Sequence, residues 1–340
     1  MKKLLTALIL QILVTSSIYV CGCNTGDATG DQVVVFADPG LEEFIRVSIS
    51  KSEGAIYASD LKRLTYLNAA QRNISDLTGL EQCPNLAQLY LDENQLHDIT
   101  TLASLGKLKY LSLRRNYVSN LTPLSSLSSL KSLDLNNNAI IDISPLSSLT
   151  GLASLSLRNN QISDISPLSS LTGLVSLDLN KNQITDISPL SFLTKLTNLY
   201  LENNGINDIS PLASLINLKN LCLRGNNIRD ISTLTSLTNL NYLGLEENNI
   251  SDISPLASLS KIQLLCLSDN QVSDLSPLAY LDTLFSLDLS DNQICDIEPL
   301  VANHGLRHFD RVDIQNNPLN DTSVSICIPQ LIDRGIELKW

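Results

Sequence analysis

Side chains able to do chemistry near neutral pH are scarce in this 340-residue chain, which has three His and seven Cys. His97 lies far along the chain from His304 and His308, so no Ser/His/Asp or Cys/His constellation can be assembled. His304 and His308 stand four apart, a spacing at which one helical face can hold a metal, but solvated loop residues are the simpler reading. Cys222 and Cys266 fall at one register of a repeated pattern, two copies apart. One strand per copy puts them roughly 10 Å apart, beyond disulfide reach, and free thiols are expected. Cys83 takes a core Leu position, Cys295 a turn and Cys327 a terminal cap. There is no Gly-rich phosphate loop. Recognition rather than catalysis is expected, with no cofactor and no metal.

The side chains suited to recognition are tyrosines and charges. Tyr66, Tyr90, Tyr110, Tyr200 and Tyr242, five of the nine Tyr, occupy the third or fifth position of the repeated unit. Core packing does not need them there, and a Tyr ring buries area while its hydroxyl hydrogen-bonds a partner. Arg114, Arg115 and Arg158 form a basic segment beside Tyr90 and Tyr110, whereas Glu202, Glu246, Glu247, Asp269, Asp288 and Asp291 make the later half acidic. The expected partner-binding set is Tyr66, Tyr90, Tyr110, Arg114, Arg115, Arg158, Tyr200, Glu202, Tyr242 and Glu246. Copies four to six carry mainly Ser, Asn and Asp there, so a ligand is expected at the ends of the arc first. The competing reading is an exposed strand face chosen for β propensity and solvated charge.

The element that positions these residues is a 22-residue unit, typified by LASLSLRNNQISDISPLSSLTG from Leu152 to Gly173. Eleven copies start at Leu64, Leu86, Leu108, Leu130, Leu152, Leu174, Leu196, Leu218, Leu240, Ile262 and Leu284, without an insertion. That period and pattern predict a leucine-rich-repeat solenoid of α/β class. Its parallel sheet should form the concave face and 3₁₀ turns the convex face, between terminal caps. In each copy ASLSL alternates, so Leu155 and Leu157 face inward and Ser154 and Ser156 outward. Asn stands at the ninth position in ten of the eleven copies, where a side-chain amide can satisfy both stranded donors and acceptors. In Asp164-Ile165-Ser166-Pro167-Leu168, Ser is suited to cap a helical turn and Pro to its first position. The recurrent Asp is read as a turn cap before a calcium ligand.

Outside the repeats the expected divisions are 1-22, an export signal; 23-32, a flexible Gly/Asp spacer; 33-63, an N-terminal cap; 64-305, the repeats; and 306-340, a partial copy and C-terminal cap. The cap should hold a strand at Val33 to Phe36 and a helix opened by Asp38-Pro39, with a stripe of Leu41, Phe44, Ile45 and Val47. At the other end Phe309, Val312, Ile314, Asn317 and Leu319 should rebuild a partial copy. A helix over 321–333 with Val324, Cys327, Ile328 and Leu331 on one side and a strand at Ile336-Glu337-Leu338 should follow. Met1-Lys2-Lys3 followed by the mostly apolar run from Leu4 to Val20 has the make-up of an export signal. The ending Val20-Cys21-Gly22-Cys23 resembles the bacterial lipobox, which implies cleavage before Cys23 and a lipid on that residue.

The net charge of -12 argues against nucleic acid and anionic lipid surfaces as partners and favours a protein, with a glycan as the lesser expectation. The segments FADPGLEEFIRVSISK, SDLKRLTYLNA and ISDLTGLEQCPNLAQLYLDENQLHDI, and the NQISDISPLSSLT units, resemble the cap and repeats of bacterial internalin-like proteins. The likeness runs from Val33 onward. Together with the lipobox-like ending it implies a surface-exposed, monomeric binding module, lipid-anchored on the outer side of a bacterial membrane. No Ig-like domain and no LPxTG-type signal follows the repeats, so the family's host-invasion role is not carried over. Phosphatase-regulating eukaryotic proteins share the 22-residue period, but an export signal does not suit their cytosolic role. A structural or self-associating envelope scaffold is the alternative function.

Overall fold

Stacked copies bury one another's leucines, so the first copy needs a lid. The computed structural model describes residues 30–340; the export segment, Cys23 and most of the spacer lie outside the described residues. The lid opens with β1 (Val33–Val34), helix α1 (Pro39–Ser48), β2 (Ile56–Tyr57) and α2 (Ala58–Leu61), with β1 and β2 antiparallel. Asp38 caps α1, its Oδ1 accepting from Gly40 N at 2.9 Å and Leu41 N at 3.2 Å. Its Oδ2 accepts from Ser75 N at 2.8 Å, which ties the lid to the first coil. Leu41 and Ile45 are buried and Phe44 partly so, but Val47 is 67% exposed and does not join the stripe. The first strand is also shorter than expected: Val35 points outward and only Phe36 turns back into the core.

Each copy then contributes one three-residue strand, from β3 (Tyr66–Asn68) through β7 (Ser154–Ser156) to β13 (Ser286–Asp288), followed by β14 (Arg311–Asp313) and β15 (Glu337–Lys339). These strands make one thirteen-stranded sheet in chain order. Within the repeats all pairs are parallel, with Ser154 opposite Ser176 and Leu155 opposite Leu177, so equivalent residues line up in columns. At about 4.8 Å per strand the columns run along the solenoid axis. Leu155, Leu157, Ile162, Leu168 and Leu171 are all buried, as are their equivalents in neighbouring copies.

The ninth-position Asn closes each coil. Asn160 Nδ2 donates to Leu135 O at 3.1 Å and Leu157 O at 2.9 Å, while its Oδ1 accepts from Ile140 N at 3.1 Å. One amide thus joins its own strand end to the preceding coil. The first copy has Arg72 instead; its backbone N–H is taken by Asn94 of the next copy, and its guanidinium covers the Phe44 ring at 4.7 Å. Asn317 continues the ladder beyond the regular repeats, accepting from Ile294 N at 3.0 Å.

The convex side is a row of five-residue 3₁₀ turns such as Ser166–Ser170. The cap of this turn is Asp164 and not Ser166: Asp164 Oδ1 accepts the Ser166 N–H at 2.8 Å, while Ser166 lies inside the turn. Two residues separate acceptor and donor, the reach of an Asx turn, whereas a Ser in the first turn has no free N–H ahead of it. Ser170 Oγ instead donates to Ser147 O at 2.8 Å and stitches adjacent turns together.

The C-terminal end departs from expectation at two apolar residues. Leu306 fills the core place expected for Phe309, which is 70% exposed with a left-handed backbone (φ 73). Val324 is 40% exposed, because a π turn at Ser323–Cys327 precedes the helix Ile328–Asp333 and shifts the register by one residue. Ser323 is buried in its stead, its Oγ donating to Cys295 O at 3.0 Å. Cys327, Ile328 and Leu331 are buried as expected, and the last strand lies one residue later than the apolar pattern indicated. Arg334 donates to Asn303 O at 2.7 Å and Val301 O at 2.6 Å, sealing the cap onto the last full copy.

Replacing Asn160 with Ala strands one buried N–H and two carbonyls, and is expected to cost roughly 3 kcal/mol. Denaturant unfolding of N160A against the exposed neighbour N159A measures it; equal midpoints would refute the coil-closing role.

Candidate functional site on the concave face

Third-, fifth-, seventh- and eighth-position side chains leave the sheet on its concave side, because the alternate positions are occupied by the buried leucines. Tyr66 and Tyr110 are 51% and 42% exposed, and Tyr90, Tyr200 and Tyr242 are half-buried on the same face. Tyr66 and Tyr90 meet with ring centroids 5.8 Å apart at 51°, and Tyr110 lies on the strand next to Tyr90. Tyr66 and Tyr90 form an aromatic pair with Tyr110 on the neighbouring strand, whereas Tyr200 and Tyr242 stand apart from them, two strands from each other.

Arg114, Arg115 and Arg158 line a polar hollow of about 500 Å³, together with Asn136, Asn137, Asn159, Asp178 and Lys181. Arg115 is paired with Glu93 at 2.7 Å. Lys181 is absent from the expected set; its place at the eighth position of copy six, equivalent to Arg115, was the signal that could have found it. The basic region therefore extends beyond Arg158 of copy five into copy six, away from the ends of the arc.

The later half is more compact chemically. Cys222 donates its thiol proton to Glu202 Oε1 at 2.9 Å and lies 3.5 Å from the Tyr242 hydroxyl. Gly244 separates Cys222 from Cys266 in the sheet register. A Cβ on Gly244 would meet Glu246 Oε2 at 2.9 Å and both Cys222 Sγ and the Tyr242 hydroxyl at 3.0 Å, so a larger residue there would have to displace the ends of these three side chains. Burial pushes the Cys222 and Cys266 thiols up to about 12, keeping them protonated and poorly nucleophilic at neutral pH. Burial likewise raises Glu246, whose Oε2 is buried without a hydrogen-bond partner. Arg224, also missed from sequence, pairs with Glu247 at 2.5 Å and divides Glu202 from Glu246 in the seventh-position column.

The histidines do not converge. His97 stacks on Tyr117 at 4.9 Å, and His304 and His308 are exposed in the loop after the helix Glu298–Ala302 and share no helical face. Among the described residues no three His, Cys, Asp or Glu side chains are placed to hold a metal ion. None of their helices is long and apolar enough to cross a membrane.

The family model for leucine-rich repeats in two copies matches residues 62–104, 106–148, 150–192, 172–214, 194–236, 216–258 and 238–280. The chain belongs to the leucine-rich-repeat family. Within it the chain is internalin-like. It is similar to an internalin, InlF, of Listeria monocytogenes, at 32% identity over 90% of this chain and 96% of that one, with a TM-score of 0.78. Internalin C2 of the same organism gives 39% identity over 62% and 95%, with a TM-score of 0.61. A leucine-rich-repeat protein of Leptospira interrogans gives 26% identity over 77% and 74%, with a TM-score of 0.64. No curated protein sequence matches the chain.

In this leucine-rich-repeat sheet the concave carboxylates are partly desolvated by their columns. Burial raises Asp134 above the ordinary value of 3.8, with Asp92 and Asp178 adding repulsion and Arg114 and the Asn136 N–H opposing it. A raised native pKa means that the folded state binds the proton more tightly, so Asp134 contributes stability as pH falls and loses it as pH rises through the native value. Asp134→Asn keeps an acceptor for the Asn136 N–H, now 2.9 Å away, and removes the buried charge. Its melting temperature is expected above that of the parent at pH 7, with the gap closing under acid. Thermal unfolding at pH 7 and pH 3.5 checks this, and a lower melting temperature at pH 7 would count against it.

Proposed function

We propose that this internalin-like chain is an exported, lipid-anchored binding protein without enzymatic activity, which recognises a protein partner through its concave face. The observation that carries this reading is the set Tyr66, Tyr90 and Tyr110 on the concave side of three adjacent strands, the last of which leads into Arg114 and Arg115 of the hollow that Arg158 also lines. Aromatic rings rimmed by guanidinium groups are the make-up of an interface hot spot. Tyr200, Glu202, Tyr242 and Glu246 supply a second, acidic contact region further along the arc. The protonated thiols beside them give no nucleophile. Surface exposure follows from the export segment and the lipobox-like ending at Cys23.

The sheet provides its own neutral substitutions, since neighbouring copies show what each column tolerates. Tyr66→Gln, Tyr90→Ser and Tyr110→Ser copy Gln88, Ser112 and Ser132. The soluble form from residue 33 should capture an extracellular protein that the triple variant binds at least tenfold more weakly. Quantitative pull-down with matched melting curves is the measurement. Equal capture would remove the site, and concentration-dependent self-association of both forms in sedimentation would favour the scaffold.

Intact-mass analysis of the membrane fraction should find a mature N-terminus at Cys23 bearing acyl chains, and Cys23→Ser should release the protein from that fraction. Retention of the C23S variant on the membrane would refute lipid anchoring.

A further inference from the structure

The hollow beside the tyrosines differs from the other concave hollow in how its cations are used. At the C-terminal end Arg311 pairs with Glu337 at 3.0 Å and Lys339 with Asp313 at 3.1 Å, so that hollow is internally neutralised. Of the four cations in the 500 Å³ hollow, only Arg115 is ion-paired among the described residues, with Glu93. Arg114, Arg158 and Lys181 face one space with a single carboxylate, Asp178, among the lining residues.

The backbone adds a second observation. Eighth-position residues lie in the left-handed region, with φ 53 at Arg115 and φ 55 at Lys181. Asn tolerates that region better than longer side chains do, and Asn is what adjacent copies carry, at Asn137, Asn159 and Asn203. Lys181 therefore holds a charge at a backbone position where a more easily accommodated residue was available.

We propose that this hollow is a subsite for an anionic oligosaccharide, whose sulfate or carboxylate groups are taken by Arg114, Arg158 and Lys181. Guanidinium groups bind such anions through paired, charge-assisted hydrogen bonds, and an ammonium adds a point charge. Asn137 and Asn159 line the same wall, and amides both donate to and accept from sugar hydroxyls. An acidic peptide suits the hollow less well, because its lining contains no apolar or aromatic side chain to anchor a peptide residue; the tyrosines lie outside it. The net charge of -12 keeps polyanions off the rest of the surface, so binding is confined to this spot. The inference rests on the concave face being the binding face, and names one ligand class for it.

The test uses the soluble form from residue 33 and the variant Arg114→Asn, Arg158→Asn, Lys181→Asn. Each change copies the residue found in a neighbouring copy, at Asn136, Asn180 and Asn159, so the fold should be retained, as a melting curve will show. Calorimetric titration with a heparin-derived hexasaccharide at low salt is expected to give one site, weakened at least tenfold in the variant and by added salt. An oligogalacturonate arm separates carboxylate from sulfate: binding to it assigns the carboxylate, and its absence beside hexasaccharide binding assigns the sulfate. No binding of the hexasaccharide, equal binding by the variant, or equal binding of an oligoglutamate peptide or phosphatidylserine vesicles would overturn the proposal. The variant Tyr66→Gln, Tyr90→Ser, Tyr110→Ser should keep the hexasaccharide while losing the protein partner. Partner capture that persists without any oligosaccharide binding would sink this inference alone.

Discussion

Every coil of this solenoid depends on one side-chain amide. A chain that turns through a dry interior every 22 residues leaves N–H and C=O groups pointing into hydrocarbon, where each unmet group is expensive. The ninth-position Asn meets three of them at once, two in the coil before it and one at the end of its own strand. Because the same amide reaches backward each time, a coil is complete only when the next one is present. The leucines supply the drive to stack, but the amide sets the pitch at which stacking is satisfied.

That fixed pitch governs what the concave face can be. Equivalent residues lie in columns, and the third, fifth, seventh and eighth positions owe nothing to the core, so their chemistry varies freely while the backbone does not. The same economy explains the two caps, which differ from each other in sequence yet end in comparable devices. Asp38 reaches Ser75 in the first coil, and Arg334 reaches two carbonyls near the last. Both use a charged group on backbone, where a neutral side chain would leave the outermost polar groups of the stack half-satisfied.

Periodicity made the repeats legible, since burial of Leu155, Leu157, Ile162, Leu168 and Leu171 follows from spacing alone. Legibility ended where spacing stopped being informative. Val47 and Val324 have the right character for an apolar stripe, yet each sits at the angular edge of its helix, and the π turn before Ile328 moves Val324 off it. Phe309 was the larger apolar residue near the break in period, but Leu306 reaches the core because the turn after Asn303 directs it there, with Asn303 Oδ1 holding its N–H at 3.2 Å. Ser166 has the identity of a cap and not the position. On the concave face the tyrosines are legible by column, and Lys181 and Arg224 are legible only by the same register, as equivalents of Arg115 and Arg114, because no neighbouring copy repeats their charge.

Columns also set the electrostatics. Neighbours in a column are about 4.8 Å apart, a distance at which like charges repel by roughly 1 kcal/mol in water and more where solvent is displaced. The seventh-position column from Asp92 onward runs Arg114, Asn136, Arg158, Asn180, Glu202, Arg224, Glu246, Ser268, so no two like charges are adjacent. The eighth position breaks this rule once, at Glu247, Asp269 and Asp291. Arg224 relieves Glu247 at one end of that run, and Asn316 donates to Asp291 at 2.8 Å at the other. Asp269 lies between them in the same column. The seventh-position column therefore spaces its charges, the exposed eighth position accepts direct repulsion where water screens it, and a half-buried carboxylate pair in register, Asp288 opposite Asp313, has Lys339 on Asp313 to offset it.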